Sequence, residues 1–217
     1  MSRRPVLKRE SSPRRRYAAR MPPEDRRQQL LDAALGVILE QGYAGVSIEA
    51  IARSAGVTRP VVYDHFLNLG ALLGALFDRE ERSALAQLAE VVPVDPGDED
   101  PVHVLASSVG RFLRAVASRP ATWRLILLPP DGTPEMVRQH VEANRARTLS
   151  QIEQVVRWAL TQPGWSCEID PELAARAIRA IGEEAGRTLL IDPERYSPER
   201  YEQFVEAAVG LLVLRRH

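Results

Sequence analysis

The chain has 217 residues, of which 45% are hydrophobic and 27% charged, and its formal net charge is zero. That length suffices for a small module and a larger core, because domains commonly contain ~100 to 150 residues. The longest apolar run, 207–214, is far below the roughly 20 residues that a membrane-spanning helix requires, so no membrane partner is expected. The arginine-rich start lacks the apolar stretch of a secretory signal, and the single Cys167 excludes an intrachain disulfide; both features favour the cytoplasm.

Charge is distributed unevenly along the chain. The first 27 residues carry ten arginine or lysine residues against three acids, a net charge of +7, which leaves −7 for the remainder. Residues 1–21 are rich in arginine, serine and proline and have too little apolar surface to offset the entropy of ordering, so we expect a disordered basic tail. Such a tail either binds a polyanion such as DNA or only keeps the chain in solution.

The remainder of the chain is predicted to be helical. Apolar residues at three-and-four spacing predict a first helix from Pro23 to Gly42. Ser47 is suited to cap a short second helix that runs to Ser54, and Thr58 to cap a third that ends near Phe66. Prolines separate the later helices, which are predicted at 68–90, 102–118, 121–128, 133–161, 170–190 and 197–215. Because no alternation of period two persists, the predicted fold class is all-α.

Two short helices joined by a glycine turn are typical of a helix-turn-helix, whose second helix fits the major groove of DNA. Residues 47–66 read SIEAIARSAGVTRPVVYDHF. Apolar residues that would hold the two helices at a fixed angle are Ile48, Ile51, Ala52, Val57, Val62 and Phe66. Residues 58–65 are then left to face DNA.

This stretch resembles the signature of the TetR/AcrR family in Ala52, Ala55-Gly56-Val57, Thr58, Val62-Tyr63, His65 and Phe66. The motif-level resemblance covers about residues 30–77, and the rest is similar only in the order of its helices. The resemblance implies a two-domain, all-α homodimer, here divided into a tail (1–21), a three-helix DNA-binding domain (22–67) and an effector-binding and dimerisation domain (68–217). The family commonly has a lysine at the start of its fourth helix to bind phosphate, where this chain has Leu69 and Gly70. The basic tail is a candidate replacement for that contact.

The residues predicted to contact DNA are Ser47, Thr58, Arg59, Pro60, Tyr63 and His65. Arg59 opens the recognition helix, where its guanidinium either reads guanine O6 and N7 or binds a phosphate. Tyr63 and His65 match family positions that usually touch phosphates, although His65 is also suited to cap the end of the helix. The hydroxyls of Ser47 and Thr58 can donate to phosphate, cap their helices, or do both.

By the same resemblance, the last two helices are expected to form the dimer interface as a four-helix bundle. One helix carries a stripe of small and apolar residues, Ala174, Ala177, Ile178, Ile181, Gly182 and Ala185, and the other an apolar face of Phe204, Ala208, Leu211 and Leu212. An intramolecular core is the alternative use of these residues. In a dimer, two recognition helices ~34 Å apart would read a palindromic double-stranded DNA operator.

An unknown small-molecule effector is the remaining expected partner. Asn144 and Thr148 interrupt an apolar helical stripe and are candidates to hydrogen-bond a ligand, with Phe112, Trp123, Met136 and His140 as walls. Packing in the core or at a solvated edge is the alternative for each of these six residues. We find no catalytic set, metal motif or nucleotide motif, so neither an enzyme nor a cofactor is expected.

The predicted function is a sequence-specific transcriptional regulator, a repressor that a small-molecule effector releases from its operator. The alternative is a ligand-independent DNA-binding or architectural protein whose C-terminal body only dimerises. A buried cavity in the body, with polar groups converging on it, is the feature that distinguishes the two hypotheses.

Overall fold

A computed structural model describes residues 21–91, 93, 96–129, 132–133, 135–163 and 169–214, without the side chains of 136, 137, 140 and 211–214. The regular structure in these ranges is helical throughout, which confirms the predicted all-α class. The α-helices are α1 (Pro23–Gln41), α2 (Ile48–Ser54), α3 (Arg59–Tyr63), α4 (Leu69–Leu88), α5 (Pro101–Ser118), α6 (Pro120–Leu127), α7 (Glu135–Thr161), α8 (Pro171–Ile191) and α9 (Pro198–Leu214), with a 3-10 turn at Tyr43–Gly45. The basic tail, apart from Met21, and Cys167 lie outside the described residues.

The recognition helix differs from its prediction at both ends. Thr58 occupies the N-cap position of α3, but its side chain makes no capping bond. The reason is Pro60, which has no N–H to offer at the second helical position, while the N–H of Val61 donates to the backbone carbonyl of Thr58. At the other end α3 stops at Tyr63 rather than near Phe66, because the chain tightens into a turn in which the N–H groups of both His65 and Phe66 donate to the carbonyl of Val62.

The DNA-binding head is built around one apolar cluster. The Oγ of Ser47 accepts a bond from the N–H of Ala50 at 3.1 Å and caps α2 as predicted, and Gly56 takes a positive φ of 66° in the turn before α3. The cluster contains Leu30, Leu31, Ala34, Leu35, Ile38, Ile51, Ala52, Val62, Phe66, Leu72, Leu76 and, from α6, Leu125. The first half of α4 and part of α6 therefore complete the core that α1 to α3 begin.

The body packs α5 against α8 and α9, and α7 against α8. A second apolar cluster lies among them, with Leu113, Val116, Trp123, Ala185 and Leu189 at its centre. The stripe predicted on α8 does not form a single face, because Ala185 lies in this cluster whereas Ala177 and Ile181 are exposed. Among the described helices, none combines the length and the apolar character that crossing a lipid bilayer would take.

Candidate DNA-binding surface and ligand cavity

The recognition helix exposes the side that was predicted to meet DNA. Val62 is fully buried in the head, and the residues on the other side of α3, Thr58, Arg59, Pro60 and Tyr63, are all exposed. Ser47 and His65 are half-buried at the ends of the motif. The six predicted residues thus lie along the motif, with four of them open to solvent.

Arg59 is held by an ion pair that sequence reasoning missed. Its Nη1 lies 2.8 Å from Oε1 of Glu49 on α2, and both side chains are about half exposed. The carboxylate directs the guanidinium across the two helices of the motif, and it also competes with any DNA group that Arg59 contacts. An exposed pair of this kind contributes little to stability, at most about 1 kcal/mol. Its effect therefore falls on DNA binding rather than on folding.

Arg27 fixes the far end of the recognition helix, although the sequence analysis counted it only among the N-terminal cations. Its Nη1 donates to the carbonyl of His65 at 3.2 Å, and its guanidinium lies 4.3 Å from the centroid of the Phe66 ring. On the same helix, Nε2 of Gln29 donates to the carbonyl of Ala55 at 3.0 Å. α1 therefore holds both the glycine turn and the end of α3.

Leu69, at the position where the family commonly has a phosphate-binding lysine, packs against the core of the head. The N-cap residue before it, Asn68, accepts a bond from the N–H of Ala71 at 2.8 Å. The start of α4 is thus used for packing and capping, in agreement with the predicted loss of the lysine contact.

The body encloses a cavity of about 200 Å³ between α4, α5, α6, α7 and α8. Its walls are mainly aliphatic and aromatic. Of the six predicted effector residues, Phe112, Trp123, Asn144 and Thr148 line the cavity, and the side chains of Met136 and His140 lie outside the described residues. The cavity has the combination of apolar walls and a few polar groups that is common in small-molecule sites.

The predicted wall residues make defined contacts. The rings of Phe112 and Trp123 meet edge to face, with centroids 5.3 Å apart and an interplanar angle of 88°. Asn144 Nδ2 donates to Oε1 of Glu81 at 2.7 Å. Thr148 Oγ1 donates to the carbonyl of Asn144 at 3.1 Å, so its hydroxyl proton is already used within α7. Asn144, unlike Thr148, joins two different helices of the wall.

The charged residues of the wall were not predicted. They are Glu80, Glu81, Arg145, Arg179 and Glu183. On α4, the acidic pair belongs to the run Asp-Arg-Glu-Glu-Arg at 78–82, which reads as a solvated helix face. The only sequence signal was the spacing of Glu81 four residues after Phe77 and four before Leu85, which places it on an apolar face of α4.

Comparisons with known proteins agree with this architecture. A family model described as bacterial regulatory proteins of the tetR family matches residues 30–76. The HTH-type transcriptional regulator SrpR of Pseudomonas putida is 26% identical over 187 residues, which cover 86% of this chain and 83% of SrpR. EthR of Mycobacterium tuberculosis is 31% identical over 117 residues, so this chain spans about half (52%) of the length of that regulator.

Solved structures give the same result over more of the chain. A TetR-like transcriptional regulator from Rhodococcus sp. RHA1 superposes with a TM-score of 0.70 at 25% identity, covering 89% of this chain and 99% of that one. FadR of Bacillus subtilis, solved with stearoyl-CoA, shares the fold with a TM-score of 0.62 at 20% identity, over 83% of this chain and 95% of that one. The chain belongs to the TetR family. The named relatives are transcriptional regulators and not enzymes, in agreement with the predicted class of function.

In this TetR-family chain, one link between cavity and head is aromatic. Phe77 lines the cavity, and its ring lies 6.2 Å from that of Tyr43 in the 3-10 turn of the head. Burial raises the pKa of Tyr43 to about 12, and a side-chain hydrogen bond with Thr133, in the segment between α6 and α7, lowers it in part. The Tyr43 hydroxyl is therefore held in its neutral form between the two halves of the molecule.

A second link in this TetR-family chain is ionic. Glu80, in the cavity wall, is 7% exposed; it accepts a bond from Thr122 of α6 and lies 2.7 Å from Nη2 of Arg79. Arg79 Nη1 in turn lies 2.7 Å from Oδ1 of Asp32 on α1 and 3.2 Å from Oε1 of Gln28. One arginine thus connects a carboxylate of the cavity with the first helix of the DNA-binding head.

Proposed function

We propose that this chain is a homodimeric repressor that binds a palindromic DNA operator through α2 and α3 and is released when a small molecule occupies the cavity. The observation that carries this proposal is the course of α4. Leu72 and Leu76 in its first half are fully buried in the head, and Phe77, Glu81 and Leu85 farther along line the cavity. A ligand that favours one position of α4 therefore changes the position of the recognition helix, and DNA binding must weaken ligand binding by the same factor.

Exposed apolar residues on the last two helices support the homodimer. Leu173 and Ile181 on α8 are 63% and 58% exposed, and Phe204 on α9 is 62% exposed. Large apolar side chains on adjacent helices form a surface that a second copy can cover as a four-helix bundle. This assigns to the interface the exposed face of α8, rather than the predicted stripe, whose members Ile178 and Gly182 line the cavity.

The cavity supports the effector-regulated hypothesis over the ligand-independent one. Its walls bring Asn144, Glu81 and other polar groups to an otherwise apolar space. FadR of Bacillus subtilis, which shares this fold, was solved with stearoyl-CoA, so the fold is compatible with ligand binding. The identity of FadR's ligand is not carried over, because the likeness at 20% identity concerns the fold alone.

The test is a selection of tight binders from random duplex DNA by the purified protein at physiological salt. Enrichment of a palindrome with half-sites about one helical turn apart is expected. In a second selection, Arg59→Ala should relax the preference at one base of each half-site by ~1 to 3 kcal/mol if Arg59 reads guanine. Salt-sensitive binding without an enriched sequence would contradict the proposal and favour the architectural alternative.

Dimerisation is tested separately by sedimentation. Ile181→Glu places a charge on the exposed face of α8 and should convert the dimer into a monomer at micromolar concentration. Leu67→Glu is the matched control, because Leu67 is also exposed but lies in the head, between α3 and α4. Sedimentation of wild type and Ile181→Glu at the same rate would contradict the proposed interface.

A further inference from the structure

Most charges of the cavity wall are paired with other protein charges. Glu80 pairs with Arg79. Glu183 lies 3.2 Å from Nε of Arg145 and also pairs with Arg179, while Arg145 has a second partner in Glu142. These ion pairs leave neither a free carboxylate nor a free guanidinium at that part of the wall.

Glu81 is the exception among the described residues of the wall. Its half-buried carboxylate accepts a hydrogen bond from the amide of Asn144 at 2.7 Å, and no cation of the described chain pairs with it. A neutral amide stabilises a carboxylate by hydrogen bonding but does not neutralise its charge. The wall therefore retains one negative charge, at a site from which apolar side chains exclude much of the water.

The surroundings of Glu81 match a cation carried on an apolar body. Phe77 lies one turn before it on α4, and the rings of Phe112 and Trp123 belong to the same cavity wall. Aromatic faces attract cations, most strongly where water is excluded. A hydrated inorganic ion gains little from aliphatic walls, whereas an organic cation buries its hydrocarbon part against them. A space of about 200 Å³ holds roughly fifteen non-hydrogen atoms, since a water-sized group needs about 10 to 15 Å³ of such space.

We propose that the cavity selects a lipophilic monocation, whose charge pairs with Glu81 and whose apolar part packs against Phe112 and Trp123. This inference rests on the proposed function, because it names the class of effector for the same cavity. An anionic ligand would have to displace Glu183 from its arginines and would also be repelled by Glu81. A neutral ligand would leave the charge of Glu81 without a partner.

The test uses three probes of similar size and measures binding to the full chain by calorimetry. They are benzyltriethylammonium, its carbon isostere in which a quaternary carbon replaces the nitrogen, and phenylhexanoate. The cation is expected to bind at least about tenfold more tightly than either of the others. Glu81→Gln should weaken binding of the cation about ten- to a hundredfold and should not weaken that of the carbon isostere.

Two further variants make the result specific. Asp78→Asn removes a carboxylate from an exposed position of the same helix and should leave cation binding unchanged. Asn144→Leu removes the amide that competes for Glu81 and should tighten cation binding, which keeps the inference testable if Glu81→Gln does not fold. Thermal unfolding without ligand identifies any variant that has lost its structure.

Several outcomes would overturn the inference. Equal affinity for the cation and its carbon isostere would show that charge is not recognised, and preference for phenylhexanoate would assign the ligand to Arg145 or Arg179. Failure to bind any of the three probes would overturn it as well. The DNA selection contains no ligand, so an enriched palindrome would leave the operator half of the proposed function standing in each of these cases.

Discussion

Replacing Arg79 by leucine should be among the most destabilising changes of a charged residue in this chain. Arg79 is only 22% exposed in its side chain and supplies the ion pair to the buried Glu80 as well as the pair to Asp32. In Arg79→Leu, the Glu80 carboxylate stays buried with Thr122 as its hydrogen-bond partner but without a counterion. Removing one partner of a buried ion pair costs about 3 to 5 kcal/mol, and partial exposure of Arg79 reduces our expectation to about 2 to 4 kcal/mol.

The assay is urea unfolding at neutral pH, followed by tryptophan fluorescence at one protein concentration. Arg82→Leu is the matched control: Arg82 is exposed on the same helix and donates only to the carbonyl of Asp78, so its loss should cost less than about 0.5 kcal/mol. Adding Glu80→Gln to Arg79→Leu should recover part of the loss, since a neutral amide can still accept from Thr122. The reasoning is refuted if Arg79→Leu costs less than about 1 kcal/mol or if the double variant is no more stable than the single one.

Three other changes test separate parts of the structure. Because burial raises the pKa of Tyr43 from 10.0 to about 12, its neutral form contributes stability that is complete below pH 10 and is lost as pH rises through 12; wild type should therefore lose ~1 to 2 kcal/mol relative to Tyr43→Phe across this window in urea unfolding, and parallel pH profiles would contradict the assignment. Leu76→Ala should cost ~2 to 5 kcal/mol by the same assay because Leu76 is fully buried, whereas Leu67→Ala, at a side chain 84% exposed, should change stability by less than about 0.5 kcal/mol; similar costs would place the core elsewhere. Glu49→Gln should leave stability unchanged within about 0.5 kcal/mol but steepen the salt dependence of DNA binding, by up to about one unit in the log–log slope, because Arg59 is released from its ion pair; an unaltered slope would exclude that competition.

Helix positions could be predicted from the sequence because local signals set them. Prolines open α5, α6, α8 and α9, and Ser47 caps α2 through a bond within its own turn. The error at Thr58 was also local. A proline two residues later removes the N–H that a capping hydroxyl would use, and the prediction did not take this into account.

The contents of the cavity wall could be predicted only in part. Trp123 and Phe112 are large apolar residues that face inward in any helical packing, so placing them in the body required no tertiary information. Glu81 has the same local sequence pattern as an exposed acid, and only the packing of α4 against α7 brings it to Asn144. Arg27 shows the same effect in the head, because its contact with His65 spans 38 positions of sequence.

Leu125 has a consequence for the engineering of hybrid regulators. It comes from α6 in the body, yet it lies in the same apolar cluster as Leu30 and Val62 of the head. Exchanging the head by a junction after residue 67 would set a foreign surface against Leu72, Leu76 and Leu125, and each poorly filled methylene there costs on the order of 1 kcal/mol. A transplanted DNA-reading module should therefore bring the first two turns of α4 with it, together with a matching side chain at position 125.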